Sequence, residues 1–137
     1  MISARLTQRD SLLFVYGTLR AFSDIPMARR LRREACRLGV ARVAGRLYDL
    51  GRYPGISLPR RRGDSVTGEL YRLKRPRCTL RVLDRYEARF VRELVRARLG
   101  RRVYRAWVYR FRGSVRARDR IASGDYESHL RRVRGDA

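Results

Sequence analysis

The sequence predicts an α+β domain whose strands form a curled or barrel-like sheet. Three observations carry that expectation. Short apolar runs alternate with glycine and proline breakers and read as about six strands. Residues 90–99 and 102–111 are separated only by Gly100 and Arg101, the spacing of a β-hairpin. Three short segments with helical spacing lie between the strands.

Residues 11–17 (SLLFVYG) are an apolar run closed by glycine, which predicts a buried strand feeding a tight turn. Across residues 26–38, Met27, Leu31, Ala35 and Leu38 recur at helical spacing. Pro26 suits a first helical turn and Gly39 a stop, so this segment is expected to be a helix. Residues 40–50 read as a strand interrupted at Gly45, and residues 51–55 (GRYPG) as a loop. A charged turn follows at residues 60–64. Residues 65–73 (SVTGELYRL) form another strand, and Gly68 at its middle marks a bulge or a close backbone approach. Pro76 opens a helix that places Leu80, Leu83 and Glu87 on one face. Beyond the hairpin, Ser123-Gly124-Asp125 caps a last short helix. Asp125 and Glu127 in its first turn and Arg131 and Arg132 in its last turn match the helix dipole. With no internal repeat and no linker, residues 1–137 read as a single domain with its core over about residues 11–132.

Composition sets the outer limits. A chain of 137 residues can bury roughly 70% of its unfolded surface, and 44% hydrophobic residues suffice for a core. No stretch of about 18 apolar residues occurs, so no membrane span is expected. Residues 1–10 lack the apolar centre of a signal peptide. Cys36 and Cys78 lie far apart and read as reduced thiols of a cytoplasmic protein. The formal net charge is +22, from 35 Lys and Arg against 13 Asp and Glu, and Lys74 is the one lysine. Such a surface attracts polyanions, with an affinity that falls steeply with salt. The arginines are scattered along the chain and accompany no nucleic-acid motif, so polyanion binding is expected to be non-specific. Codon composition of a source genome also produces such an excess.

Several chemistries lack their residues. His129, the one histidine, sits in the last predicted helix with nothing triad-like near it in sequence, so a surface or packing role is expected. Carboxylates do not cluster at metal-ligand spacing, and one histidine cannot share a zinc with a second. No GxxxxGK[ST] or strand-following GxGxxG occurs. Neither a metal nor a cofactor is therefore expected. Two candidates remain. Glu87 follows Leu80 and Leu83 along a buried stripe, where desolvation would raise its pKa towards that of a general base near neutrality. The alternative is a helix-end glutamate paired with an arginine such as Arg89. Asp84, one turn earlier, is either a surface charge or a partner that orients the site. The second candidate is Tyr16-Gly17-Thr18-Leu19. A strand that turns sharply there exposes successive backbone N–H groups, which bind carboxylates and stabilise oxyanions. An ordinary strand-to-loop turn is the alternative.

The segments LFVYGTLR, GRLYDLGRYPGI, VTGELYRL, LDRYE, YRAWVYRF and SGDY follow one another over roughly residues 12–130. In that order they resemble the γ-glutamylcyclotransferase-like family, which includes AIG2-like proteins. The resemblance implies a small mixed β-barrel with short flanking helices and a cavity. It implies that Tyr16, Gly17, Thr18 and Leu19 hold a γ-glutamyl group through backbone amides. It makes Glu87 of the LDxxE motif the general acid/base, and it places Tyr53 and Tyr126 at the substrate. Family members commonly carry glycine after this glutamate, where this chain has Ala88; if the position needs positive φ, alanine is strained there. The implied reaction cyclises a γ-glutamyl amide or amine to 5-oxoproline with release of the free amine, and needs no metal or cofactor. The YGTL form and the short chain lean towards the γ-glutamylamine and small bacterial-type members. The alternative function is a polyanion- or partner-binding module on the same fold without catalysis.

Overall fold

A computed structural model describes residues 11–135. The strands are β1 (Leu12–Val15), β2 (Ala35–Ala44), β3 (Arg46–Asp49), β4 (Pro54–Ser57), β5 (Ser65–Leu73), β6 (Phe90–Leu99), β7 (Arg102–Phe111) and β8 (Arg120–Ile121). The helices are α1 (Pro26–Glu34), α2 (Pro76–Tyr86) and α3 (Tyr126–Val133), with one 3₁₀ turn at Ala117–Asp119. The strands form one sheet in the order β1-β5-β2-β6-β7-β4-β3-β8, and β1 pairs additionally with β7. That extra pairing closes β1, β5, β2, β6 and β7 into a five-stranded barrel. It is a mixed barrel, because β1 runs antiparallel to β5 and parallel to β7. The predicted α+β barrel with short flanking helices is therefore the fold.

The apolar run of β1 is buried on both faces, which explains its lack of alternation. Leu12, Phe14 and Tyr16 point into the barrel with Val43, Val66, Leu70, Ala97, Ala106 and Val108. Leu13 and Val15 point outward, beneath a second cluster in which Leu31 of α1 and Leu80 and Leu83 of α2 cover Tyr71 and Tyr109. Each such side chain contributes on the order of 2 kcal/mol by leaving water. Gly68 makes the close approach that its position in β5 predicts. A Cβ there would lie 2.7 Å from the Phe14 ring and run into the Val15 carbonyl.

Three local expectations are corrected. The first helix stops at Glu34 rather than running to Leu38, because Ala35 is already extended and residues 35–44 pair with β5. Leu38 packs against the barrel interior instead of a helix face, and Gly39 (φ 148°) sits at a register shift in β2. Long-range pairing here overrides helical spacing. Of GRYPG, only residues 51–53 form the loop; Pro54 and Gly55 open β4, with Pro54 at the tolerated first position of a strand. The strand count rises from about six to eight because β4 and the two-residue β8 carry no periodicity to read. The hairpin at Gly100 (φ 61°) pairs Leu99 with Arg102, as expected. Asp125 caps α3 by accepting the Ser128 N–H at 3.2 Å.

Candidate active site

Strand β7 offers one edge to two partners in succession. β1 pairs with it at Leu13↔Trp107 and β4 at Ile56↔Arg110. Between them the chain leaves β1 and turns. The Tyr16 hydroxyl bridges the gap, donating to the Tyr109 carbonyl at 2.7 Å and accepting the Ile56 N–H at 3.1 Å. Burial raises its pKa, so the hydroxyl stays protonated. Where the strands part, a cavity of about 280 Å³ opens. That volume suits a small metabolite.

The cavity floor is the turn after β1. Arg20 closes it by donating its N–H to the Gly17 carbonyl at 3.0 Å, while the N–H groups of Thr18 and Leu19 donate to no acceptor among the described residues. Gly17 is required by proximity, since a Cβ would lie 2.6 Å from Pro54 Cγ. The turn is anchored from behind. Arg20 is 3% exposed, and its guanidinium bonds Glu69 of β5 at 2.9 Å and Asp125 at 2.9 Å. The second Glu69 oxygen accepts the Ala21 N–H at 2.7 Å. One buried carboxylate thus holds both the side chain and the backbone that follow the turn.

Glu87 forms the opposite wall. It caps α2 rather than lying within it: its N–H reaches the Leu83 carbonyl at 2.8 Å, and its own carbonyl accepts the Phe90 N–H at 2.9 Å. Its backbone is therefore fixed between a helix packed on the barrel and the start of β6. Its carboxylate lines the cavity, and burial pushes its pKa up to about 7. It has no ion-pair partner among the described residues, so pairing with Arg89 is not what the geometry offers. No non-glycine residue among those described has positive φ, so Ala88 fits without strain. Asp84 accepts the Tyr109 hydroxyl at 2.7 Å and Arg92 Nε at 2.8 Å. Burial opposes its charge, but these bonds hold its carboxyl below the ordinary range. Asp84 thereby orients Tyr109, another cavity residue.

Tyr16, Gly17, Thr18, Leu19, Tyr53 and Glu87 are thus brought around one cavity. The Tyr53 ring stands 5.8 Å from the Phe90 ring at its edge. Tyr126 stands apart: it is buried in the barrel cluster against Phe22 and His129, and does not line the cavity. His129 takes a packing role, bonding Asp49 at 2.9 Å. Tyr109, Tyr86, Pro54 and Phe90 also line the cavity without having been candidates from sequence, and Arg89, weighed there only as a partner for Glu87, lines it too. Tyr86 and Arg89 flank Glu87, which was the available signal for them. Tyr109 lies inside YRAWVYRF, a segment whose alternation alone does not say which tyrosine faces the site.

The model of the family described as "Gamma-glutamyl cyclotransferase, AIG2-like" matches residues 13–128. The chain belongs to this family. Solved structures agree in fold. YkqA from Bacillus subtilis superposes with a TM-score of 0.76 at 24% identity over 91% of this chain. The chain spans only 42% of YkqA. An AIG2-like protein from Mus musculus gives a TM-score of 0.67 at 21% identity, covering 86% of this chain and 88% of that one. Protein ytfP from Escherichia coli gives 0.61 at 27% identity, covering 87% and 98%. No curated protein matches the chain. Among the described residues of this AIG2-like chain, no helix is long and apolar enough to cross a membrane.

Proposed function

We propose that this AIG2-like protein is an enzyme that cyclises a γ-glutamyl amide or amine to 5-oxoproline and releases the free amine. The observation that carries the proposal is the half-buried Glu87 carboxylate, which has no ion-pair partner among the described residues and a pKa pushed up to about 7 by burial, set across a small cavity from a turn whose Thr18 and Leu19 N–H groups meet no acceptor among those residues. In the proposed mechanism the substrate's α-carboxylate or γ-carbonyl oxygen is held by the N–H groups of Thr18 and Leu19. The cavity folds the glutamyl chain so that its α-nitrogen meets its own γ-carbon, which replaces a costly encounter with a preset one. Ionised Glu87 takes a proton from the α-ammonium as the new C–N bond forms. It returns that proton to the amide nitrogen as the old C–N bond breaks. The attacking nitrogen sheds a second proton as it becomes the lactam N–H and the released amine takes it up, so the lactam leaves neutral, the amine leaves as an ammonium and the carboxylate ends as it began. Tyr53 and Phe90 would flank the departing amine.

The test is release of 5-oxoproline from a panel of γ-glutamyl amino acids, γ-glutamyl-ε-lysine and simple γ-glutamylamines. Turnover of at least one class at rates that scale with enzyme is expected. Failure to release 5-oxoproline from every class would remove the catalytic reading and leave the family and the fold intact.

A further inference from the structure

The outward face of β2, β6 and β7, away from the cavity, carries an arrangement that stability alone disfavours. Val43, Ala97 and Ala106 of these strands point into the barrel. Alternation therefore turns Arg42, Arg96, Arg98 and Arg105 to the outside, and all four are exposed. Arg42 lies directly opposite Arg98, and Arg96 directly opposite Arg105. Directly opposed side chains have Cβ atoms about 5 Å apart, and like charges placed so destabilise a sheet. Next neighbours on the same face follow at about 7 Å along a strand. None of the four has a hydrogen-bond or ion-pair partner among the described residues. Glu93, on the Ala97 side of β6, holds Arg110, and Asp84 of α2 holds Arg92. The next cross-strand pair is Leu94 with Trp107, and Arg92 stacks on that indole with its guanidinium carbon 4.2 Å from the ring centre. Leu94 is 41% exposed and Val103, opposite Arg98, 52% exposed.

We propose that this face binds the sugar-phosphate backbone of single-stranded nucleic acid. Two opposed arginine pairs in adjacent rows form a strip of repeating positive charge, which complements a repeating anion better than a single one. Arginine's planar fork also suits phosphate oxygens. The convex outside of a barrel cannot enter a duplex groove, whereas a flexible single strand can lie across it. The exposed aliphatic side chains and the Arg92–Trp107 stack give its bases an apolar and cationic surface next to the charged rows. Leu94 and Val103 are too few and too shallow to seat the face in a bilayer. The inference is independent of the proposed catalysis, because the face and the cavity share no residue named here.

The experiment measures binding of a fluorescein-labelled dT12 oligonucleotide by anisotropy across a salt series. Three proteins are compared: wild type, Arg96→Ser/Arg105→Ser, and Arg60→Ser/Arg61→Ser, which removes the same charge from the loop after β4. The face variant is expected to weaken binding at least about tenfold in 0.1 M salt. Loss of two phosphate contacts should lower the slope of log K against log salt by about 1.4. The loop variant is expected to change affinity less than about threefold. Equal weakening by both variants would reduce the effect to overall charge and overturn the assignment. Unweakened oligonucleotide binding by the face variant, with loss of its binding to vesicles containing phosphatidylglycerol, would overturn it in favour of a membrane surface. Thermal melts guard against misfolding: relief of the opposed charges should leave the face variant at least as stable as wild type.

Discussion

A single carboxylate decides the chemistry proposed for this fold. Glu87 is half-buried and forms no ion pair among the described residues, so desolvation disfavours its charged form and its pKa rises to about 7. A base must be ionised to accept a proton, so kcat/KM is expected to rise with pH through about 7 and level above it. Glu87→Gln keeps the size but cannot carry a proton, and turnover should fall at least about a hundredfold. Stability should respond in the opposite sense. The folded-state pKa lies above the unfolded one, so the stability tied to the protonated form is complete below about pH 4 and fades as pH rises through about 7. At pH 8 Glu87→Gln should therefore melt at or above wild type, and the difference should vanish towards pH 5. Equal 5-oxoproline release by both proteins would eliminate Glu87 as the base. A pH-independent rate would eliminate its titration as the control.

At the scale of elements, the site is the place where β1, β4 and β7 part company, facing the end of α2. Much of this was legible in sequence. The apolar run closed by Gly17, the Leu80–Leu83 stripe and the Gly100 hairpin each obey a local rule, and each element formed. What was not legible depends on pairing between distant segments. Residues 35–38 keep helical spacing yet join β2, because β5 supplies hydrogen bonds along that stretch. Tyr53 and Tyr126 both lie in motif segments, but only the three-dimensional path sends one ring to the cavity and the other into the barrel core. Likewise the requirement at Gly17 comes from Pro54, thirty-seven positions away in the sequence numbering. Gly17→Val should accordingly force the turn and the start of β4 apart. A cost of about 1–3 kcal/mol in denaturant unfolding is expected from overpacking, together with a raised KM as the Thr18 and Leu19 N–H groups shift. An unchanged unfolding midpoint with an unchanged KM would show that the turn tolerates a side chain and does not position substrate.

For the molecule as a whole, the governing quantity is its net charge of +22. Charge of one sign opposes compaction by self-repulsion. Salt acts on two terms at once: it screens that repulsion, and it weakens the ion pairs. The exposed pairs, such as Arg30–Glu34 and Arg131–Glu127, contribute about 0–1 kcal/mol each. The most enclosed pair, Arg20 with Glu69, is shielded by burial and loses little. With cations outnumbering acids so heavily, relief of repulsion should win. The melting temperature is therefore expected to rise as sodium chloride goes from 0.02 to about 0.3 M, the range in which the Debye length shrinks to below about 10 Å. Sulfate at equal ionic strength should raise it further, for two separable reasons. Its exclusion from protein surface favours compaction in any variant. Its double charge can also neutralise the opposed pairs Arg42–Arg98 and Arg96–Arg105. Only the second contribution should shrink in Arg96→Ser/Arg105→Ser, so the excess of sulfate over chloride, compared between that variant and wild type, isolates the charged face. A melting temperature that falls with chloride would mean that ion pairing outweighs repulsion. An identical sulfate excess in both proteins would mean that the opposed arginines are no special reservoir of strain.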